Sequence, residues 1–163
     1  MSDEGFMPGA TTVGLVCKDG AILASERRYS YGTFVMSKVA KKVFKITDNI
    51  GVGCAGIIGD MQVLAREANA YMSIYRYERG RPGTVKNTAK LFASILSSRR
   101  LFPYLAQTII AGIDDGVLNC SSWTLSGRFS ETSLQLSEPA QRLPWEFLNR
   151  SIEMVCLLRK GGL

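Results

Sequence analysis

Glu26, Arg28 and Lys42 supply a carboxylate, a guanidinium and an amine, the side-chain types that hydrolytic chemistry needs when no imidazole is present. The chain has no histidine. This removes Ser-His-Asp and Cys-His catalysis as well as histidine-ligated metals. A hydrolytic site here must take its base from a lysine or a terminal amine, and the absence favours an N-terminal threonine mechanism. Singly, these residues have plainer roles. Glu26 with Arg27 and Arg28 is a surface ion-pair group worth at most about 1 kcal/mol, and Lys41-Lys42 is a solvated doublet. Gly56 alone is a turn or a place of close packing. Only their joint spacing argues for a site.

The elements that must position these groups fall into a regular order. Thr11 to Cys17 reads as a strand, Lys18-Asp19-Gly20 as a turn and Ala21 to Glu26 as the returning strand. Val43 to Ile46 and Ile50 to Ala55 form a second pair around Thr47-Asp48-Asn49. Beyond Gly59-Asp60, Met61, Leu64, Ala68, Tyr71 and Tyr75 recur at helical spacing until Gly80-Arg81-Pro82-Gly83 breaks the pattern. A second helix starts at Thr84 as N-cap, with Val85, Ala89, Phe92 and Leu96 on its buried face. Pro103 ends the helical region, and Gln107 to Ile113 is a β-rich run that stops at Asp114-Asp115-Gly116. Strands, two helices, then strands make an α+β chain. The order suits two stacked sheets with helices outside, among other α+β arrangements.

Bulk properties bound the function. A chain of 163 residues buries about 70% of its unfolded surface as one domain. It is 46% hydrophobic and 21% charged, and no apolar run approaches the roughly 20 residues that span a bilayer. The start, Met1-Ser-Asp-Glu-Gly, lacks the apolar core of a secretory signal, so a cytoplasmic location is expected. Cys17, Cys54, Cys120 and Cys156 form no CxxC pair, which points to free thiols with neither zinc nor disulfides. The net charge of +6 comes from bases interspersed with acids and is read as a solvated surface or a subunit contact. A small basic nucleic-acid-binding domain is the reading that charge alone would support, and salt-dependent binding would be its signature.

The strings GATTVGLV from Gly9, ASERR from Ala24, KKVFKI from Lys41, CAGIIGDMQVLAREANAY from Cys54, RGRP from Arg79 and FPYLAQTIIAGID from Phe102 occur in order. Together they resemble the archaeal-type proteasome β subunit from Gly9 to about Asp115. The resemblance implies the four-layer αββα sandwich of N-terminal-nucleophile hydrolases, incomplete here at the C-terminus. It divides the chain into a propeptide-like leader (1–9), the N-terminal part of a β-type domain (10–115) and an aberrant tail (116–163). It also implies a homo-oligomeric ring of seven subunits stacked on α rings, unfolded polypeptides as substrates, and no metal or cofactor.

In that family, autolysis after a glycine frees a threonine whose hydroxyl attacks the peptide carbonyl while its own amine acts as base. A lysine favours the ionised hydroxyl, a carboxylate orients the lysine, and a glycine amide receives the oxyanion. Carried across, the resemblance places the lysine on Lys42, the carboxylate on Glu26, a supporting arginine on Arg28 and the oxyanion glycine on Gly56. It places the substrate pocket on Tyr29, Ala40, Phe44, Cys54 and Ile58. The nucleophile position, sixteen residues before Glu26 and thirty-two before Lys42, holds Ala10. A methyl group can neither attack nor assist propeptide cleavage. Thr11 is a poor substitute, because a one-residue shift in a strand turns a side chain to the opposite face. The expected protein is a threonine-type endopeptidase subunit by descent, inactive in this copy and retaining its leader, or else a noncatalytic structural ring member.

From Gly116 onward the strand and helix periods fade. Reading each codon from the third base of one residue and the first two of the next turns this tail into family-like strings. Trp123-Thr124 then yields only Asp, and Trp145-Glu146 and Met154-Val155 yield only Gly. The tail is therefore expected to be out of frame. It would lack the later strands and helices and the family's auxiliary Ser/Asp/Ser cluster, leaving one sheet exposed and the chain poorly soluble or dependent on a partner.

Overall fold

The computed structural model describes residues 11–16, 20–31, 34–99, 101–114, 117–123, 129–131, 134–136 and 152–158. The first hairpin forms as its alternation predicts. β1 (Thr12–Val16) pairs antiparallel with β2 (Gly20–Glu26), from Thr12 opposite Ser25 to Val16 opposite Ala21. Ala21, Leu23 and Ser25 of β2 are buried, while Ile22, Ala24 and Glu26 between them are half-buried. The second predicted pair is β5 (Val43–Lys45) with β6 (Ile50–Gly56). Between the two lies a short hairpin that the periodicity does not reveal, β3 (Tyr29–Tyr31) with β4 (Phe34–Ser37).

Helix α1 (Ile58–Arg79) starts three residues before the first apolar position that marked it and ends at Gly80, whose left-handed φ of 66° lets its N–H reach the Arg76 carbonyl at 3.0 Å. Helix α2 (Val85–Ser98) is capped as expected: the Thr84 hydroxyl accepts from the Asn87 N–H at 3.1 Å. Its first N–H, on Val85, also donates to both carboxylate oxygens of Asp114 at 2.8 and 2.9 Å. This anion at the positive end of the helix ties α2 to the end of β7 (Ala106–Asp114).

β7 pairs with β6 along its length, and the two are the middle of a five-stranded sheet in the order β5-β6-β7-β8-β9, with β8 at Val117–Trp123 and β9 at Phe129–Glu131. Alternate residues of the sheet serve two cores. Ile50, Val52, Cys54, Ala106 and Ile110 pack with Met61, Leu64, Ala68, Ala89 and Phe92 of the helices. Ile109 and Ala111 pack with Val43 and with Ala21 and Leu23 of β2. The described residues thus stack in three layers: the helix pair, the five-stranded sheet, and a four-stranded sheet in the order β10-β1-β2-β11, with β10 at Leu134–Leu136 and β11 at Ile152–Leu158. The α+β class is as expected. The fourth layer of the expected sandwich has no counterpart among the described residues.

The tail differs from expectation. Residues after 115 contribute β8, β9, β10 and β11 to both sheets, so both long edges of the β1–β2 hairpin are covered. β8 returns along β7, with Asp114 opposite Val117. β11 matches β2 from Ile152 opposite Glu26 to Leu158 opposite Gly20. Strand pairing is made by backbone groups that every non-proline residue carries, so it tolerates a sequence with no clear period.

Candidate active site

The candidate site gathers where β2 ends. Glu26 Oε1 and Arg28 Nε form an ion pair at 3.1 Å, and both side chains are partly exposed. Lys42 is fully buried, and its Nζ donates to the Arg28 carbonyl at 2.7 Å. Two backbone hydrogen bonds hold it there: the Ala40 N–H reaches the Arg27 carbonyl, and the Cys54 N–H reaches the Lys42 carbonyl, each at 2.9 Å. Lys42 is brought to the neighbouring Glu26 and Arg28 from a distant part of the sequence because the 40–42 segment is pinned between the end of β2 and the middle of β6.

Burial holds the Lys42 ammonium below its ordinary value of 10.5; the Glu26 carboxylate opposes that shift and the Arg28 guanidinium adds to it. Below the folded value both states carry the proton, and the cost of burying the charge is fully present. Between the folded value and 10.5 the folded protein has released a proton that the unfolded chain still holds, so this group's contribution to stability rises with pH in that window. Cys54 works in the other direction, since burial pushes its thiol from 9.0 up to about 12 and the unfolded chain ionises first. The expected result is that Lys42→Met removes a rising component from the pH dependence of the urea midpoint. The difference between wild type and variant isolates it, because Cys54 is common to both. A difference that does not change with pH would place the ammonium in solvent.

A second set of buried hydroxyls braces the start of β1. Thr12 Oγ1 donates to the Cys54 carbonyl at 2.9 Å and lies 3.0 Å from Ser25 Oγ, which donates to the Thr11 carbonyl at 2.9 Å. Thr12 and Ser25 face the five-stranded sheet. Thr11 lies in the opposite row, cross-strand from Glu26, whose N–H donates to the Thr11 carbonyl at 3.1 Å. Sequence reasoning passed over Thr12 and Ser25, although alternation along β1 and β2 would have assigned both to the inner row. Ala10 lies outside the described residues.

Gly56 ends β6 opposite Ala106, with a φ of 137°, immediately before α1. A Cβ there would collide with the Leu105 carbonyl, so the position requires glycine. Of the pocket residues, Phe44 and Ile58 are half-buried and pack against the helix-side core that contains Cys54. Cys54 and Ala40 are buried, and Tyr29 is half-buried in β3. Phe44 also lines a cleft of about 450 Å³ with Lys41, Gln62 and Arg66. Another cleft, of about 440 Å³, lies at the far end of β5 between Asp48, Asn69, Arg76 and Pro82. Neither cleft is lined by Glu26 or Lys42.

The α+β order of strands and helices agrees with comparison to known proteins. The family model described as proteasome subunit matches residues 7–133. The chain belongs to the proteasome subunit family. Within it the similarity is to β subunits: "Proteasome subunit beta" of Methanothrix thermoacetophila is 46% identical over 106 residues, 65% of this chain and 51% of that protein. "Proteasome subunit beta" of Archaeoglobus fulgidus is 46% identical over 114 residues, 70% and 54% of the two chains. That of Methanosarcina barkeri is 39% identical over 135 residues, 82% and 64%. The chain spans about half the length of the first two. The family match reaches past the residue-115 limit read from the motifs, into the region of β8 and β9.

Proposed function

We propose that this chain is a β-type subunit of a proteasome core particle that occupies a place in a seven-membered β ring against α rings, in the cytoplasm, and contributes no peptidase turnover of its own. The observation that carries this reading is the junction of Glu26, Arg28 and Lys42 at the end of β2, with a fully buried Lys42 bonded to the Arg28 carbonyl. In an active relative this group would serve a threonine endopeptidase acting on unfolded polypeptides. Glu26 would orient Lys42, Lys42 would lower the cost of ionising a hydroxyl beside it, and the Gly56 amide would receive the oxyanion. Here Ala10 supplies a methyl group at the nucleophile position. The remaining groups can bind and polarise but cannot form an acyl intermediate.

The catalytic alternative requires Thr11 to act instead. Thr11 is buried, its carbonyl accepts from both Glu26 and Ser25, and it sits in the row opposite Thr12. These contacts favour the noncatalytic reading. The same reading treats 116–163 as an out-of-frame continuation, which resequencing across the Asp115-Gly116 junction tests directly.

The test is to co-express the chain with α-type subunits and to measure native mass, N-terminal sequence and hydrolysis of fluorogenic peptides on the purified assembly. The expected result is a ring-sized complex that retains the leader and shows no turnover. A free N-terminal threonine with turnover would overturn the noncatalytic assignment, and a chain that stays monomeric beside assembled α rings would overturn the ring assignment.

A further inference from the structure

The cleft between β5 and α1 has a chemical character that the catalytic group does not explain. Its volume is about 450 Å³, and Lys41, Phe44, Lys45, Gln62, Arg66 and Asn69 line it. Three of these carry positive charge and none is acidic. Asp48 lies 3.1 Å from Lys45, which leaves Lys41 and Arg66 to set the sign of the cleft. Phe44 is anchored by packing on the helix-side core, and the Lys41 ammonium stands 5.8 Å above its ring centroid. That cation–π contact keeps Lys41 at the mouth of the cleft. Arg66 is fixed from the other side by its Nε donating to the Gln62 carbonyl at 3.3 Å, and Asn69 by its Nδ2 donating to the Ile46 carbonyl at 2.8 Å. Two restrained cations thus flank one aromatic ring across a concave surface.

We propose that this cleft binds acidic side chains of an extended polypeptide, with Lys41 and Arg66 meeting the carboxylates and Phe44 taking the adjoining aliphatic carbons. The inference rests on the proposed placement of Phe44 in the substrate pocket, and Phe44 is the one residue of that pocket that also lines this cleft. Arginine's planar fork matches a carboxylate bidentately, and a half-buried aromatic ring suits an aliphatic stem. A nucleic acid would stack its bases on an open aromatic face. Here that face lies beneath Lys41.

The experiment measures fluorescence anisotropy of rhodamine-labelled hexapeptides rich in Glu, Gln or Lys, and of a labelled oligo-dT, on the full-length chain at low and high salt. The Glu-rich peptide is expected to bind about tenfold more tightly than the Gln-rich one at low salt, and the gap is expected to narrow at high salt. Lys41→Glu with Arg66→Glu should abolish the preference, Lys41→Gln with Arg66→Gln should reduce it, and Arg81→Glu, outside the cleft, should leave it intact. Equal binding of the Gln-rich peptide, tighter binding of oligo-dT, or an unchanged preference in the double variants would overturn the proposal. The assay needs neither assembly nor turnover. Rings that form without acidic preference would therefore defeat this inference alone, and acidic preference without rings would defeat only the ring assignment.

Discussion

Gly56→Ala is expected to lower the stability of the folded chain by roughly 2 to 6 kcal/mol. Two costs add. A φ of 137° belongs to a region that non-glycine residues enter at about 1–3 kcal/mol. The new Cβ also meets the Leu105 carbonyl, a backbone atom held by the Ile57 N–H at 2.9 Å and by the β6–β7 pairing beside it. Backbone cannot swing aside as a flexible side chain can, so overpacking contributes about another 1–3 kcal/mol. The control lies three residues away. Gly59 is the second residue of α1 and has nothing within 4 Å of a built Cβ, so Gly59→Ala should be neutral or stabilise by up to about 1 kcal/mol. Urea midpoints of the two variants measure the contrast. If Gly56→Ala matched wild type, the chain between β6 and α1 would not take the turn described here, and the backbone amide assigned to an oxyanion would lose its place.

Phe92→Ala should cost about 3 to 5 kcal/mol, a large share of the 5–15 kcal/mol that holds a domain of this kind together. Phe92 is fully buried in the helix-side core, on the face of α2 turned to the five-stranded sheet. Truncation removes the ring from a core shared with Leu64, Val52 and Ile110, and strand backbones limit how far the space can close. Phe102 is the comparison, since 87% of it is exposed and its loss should stay within about 0.5 kcal/mol. Thermal or urea unfolding of both variants decides it. A small loss at Phe92 would mean that α2 does not pack on the sheet as described.

Both predictions concern residues that the sequence marked, for different reasons. Phe92 was visible because Val85, Ala89 and Phe92 repeat at helical spacing behind a threonine cap, and local periodicity of that kind survives any tertiary arrangement. Gly56 was visible only through its motif, since a lone glycine carries no period. The β3–β4 hairpin left no trace because its second strand is largely exposed, Phe34 at 73%, and a strand without a buried face shows no alternation. The tail strands were missed for a related reason: β10 and β11 add to the sheet beside β1 and β2 through backbone pairing, which a hydropathy pattern does not register.

The site divides along the same line. Residue types and spacings in the chain were enough to identify a histidine-free arrangement, its family, the two hairpins and the two helices. Taken singly, Lys42 reads as one half of a solvated doublet, and only the resemblance picks it out from Lys41, without saying that it is buried. Only folding separates Lys41, exposed above Phe44, from Lys42, buried against the Arg28 carbonyl. The reason is that burial and charge environment depend on elements distant in sequence. β2 supplies Glu26 and the residues just after it supply Arg28, β6 pins Lys42 through the Cys54 N–H, and the Thr12 hydroxyl ties β1 to Ser25 of β2 and to the Cys54 carbonyl of β6. A sequence carries the identity of each partner, but which partners meet depends on how the sheets stack.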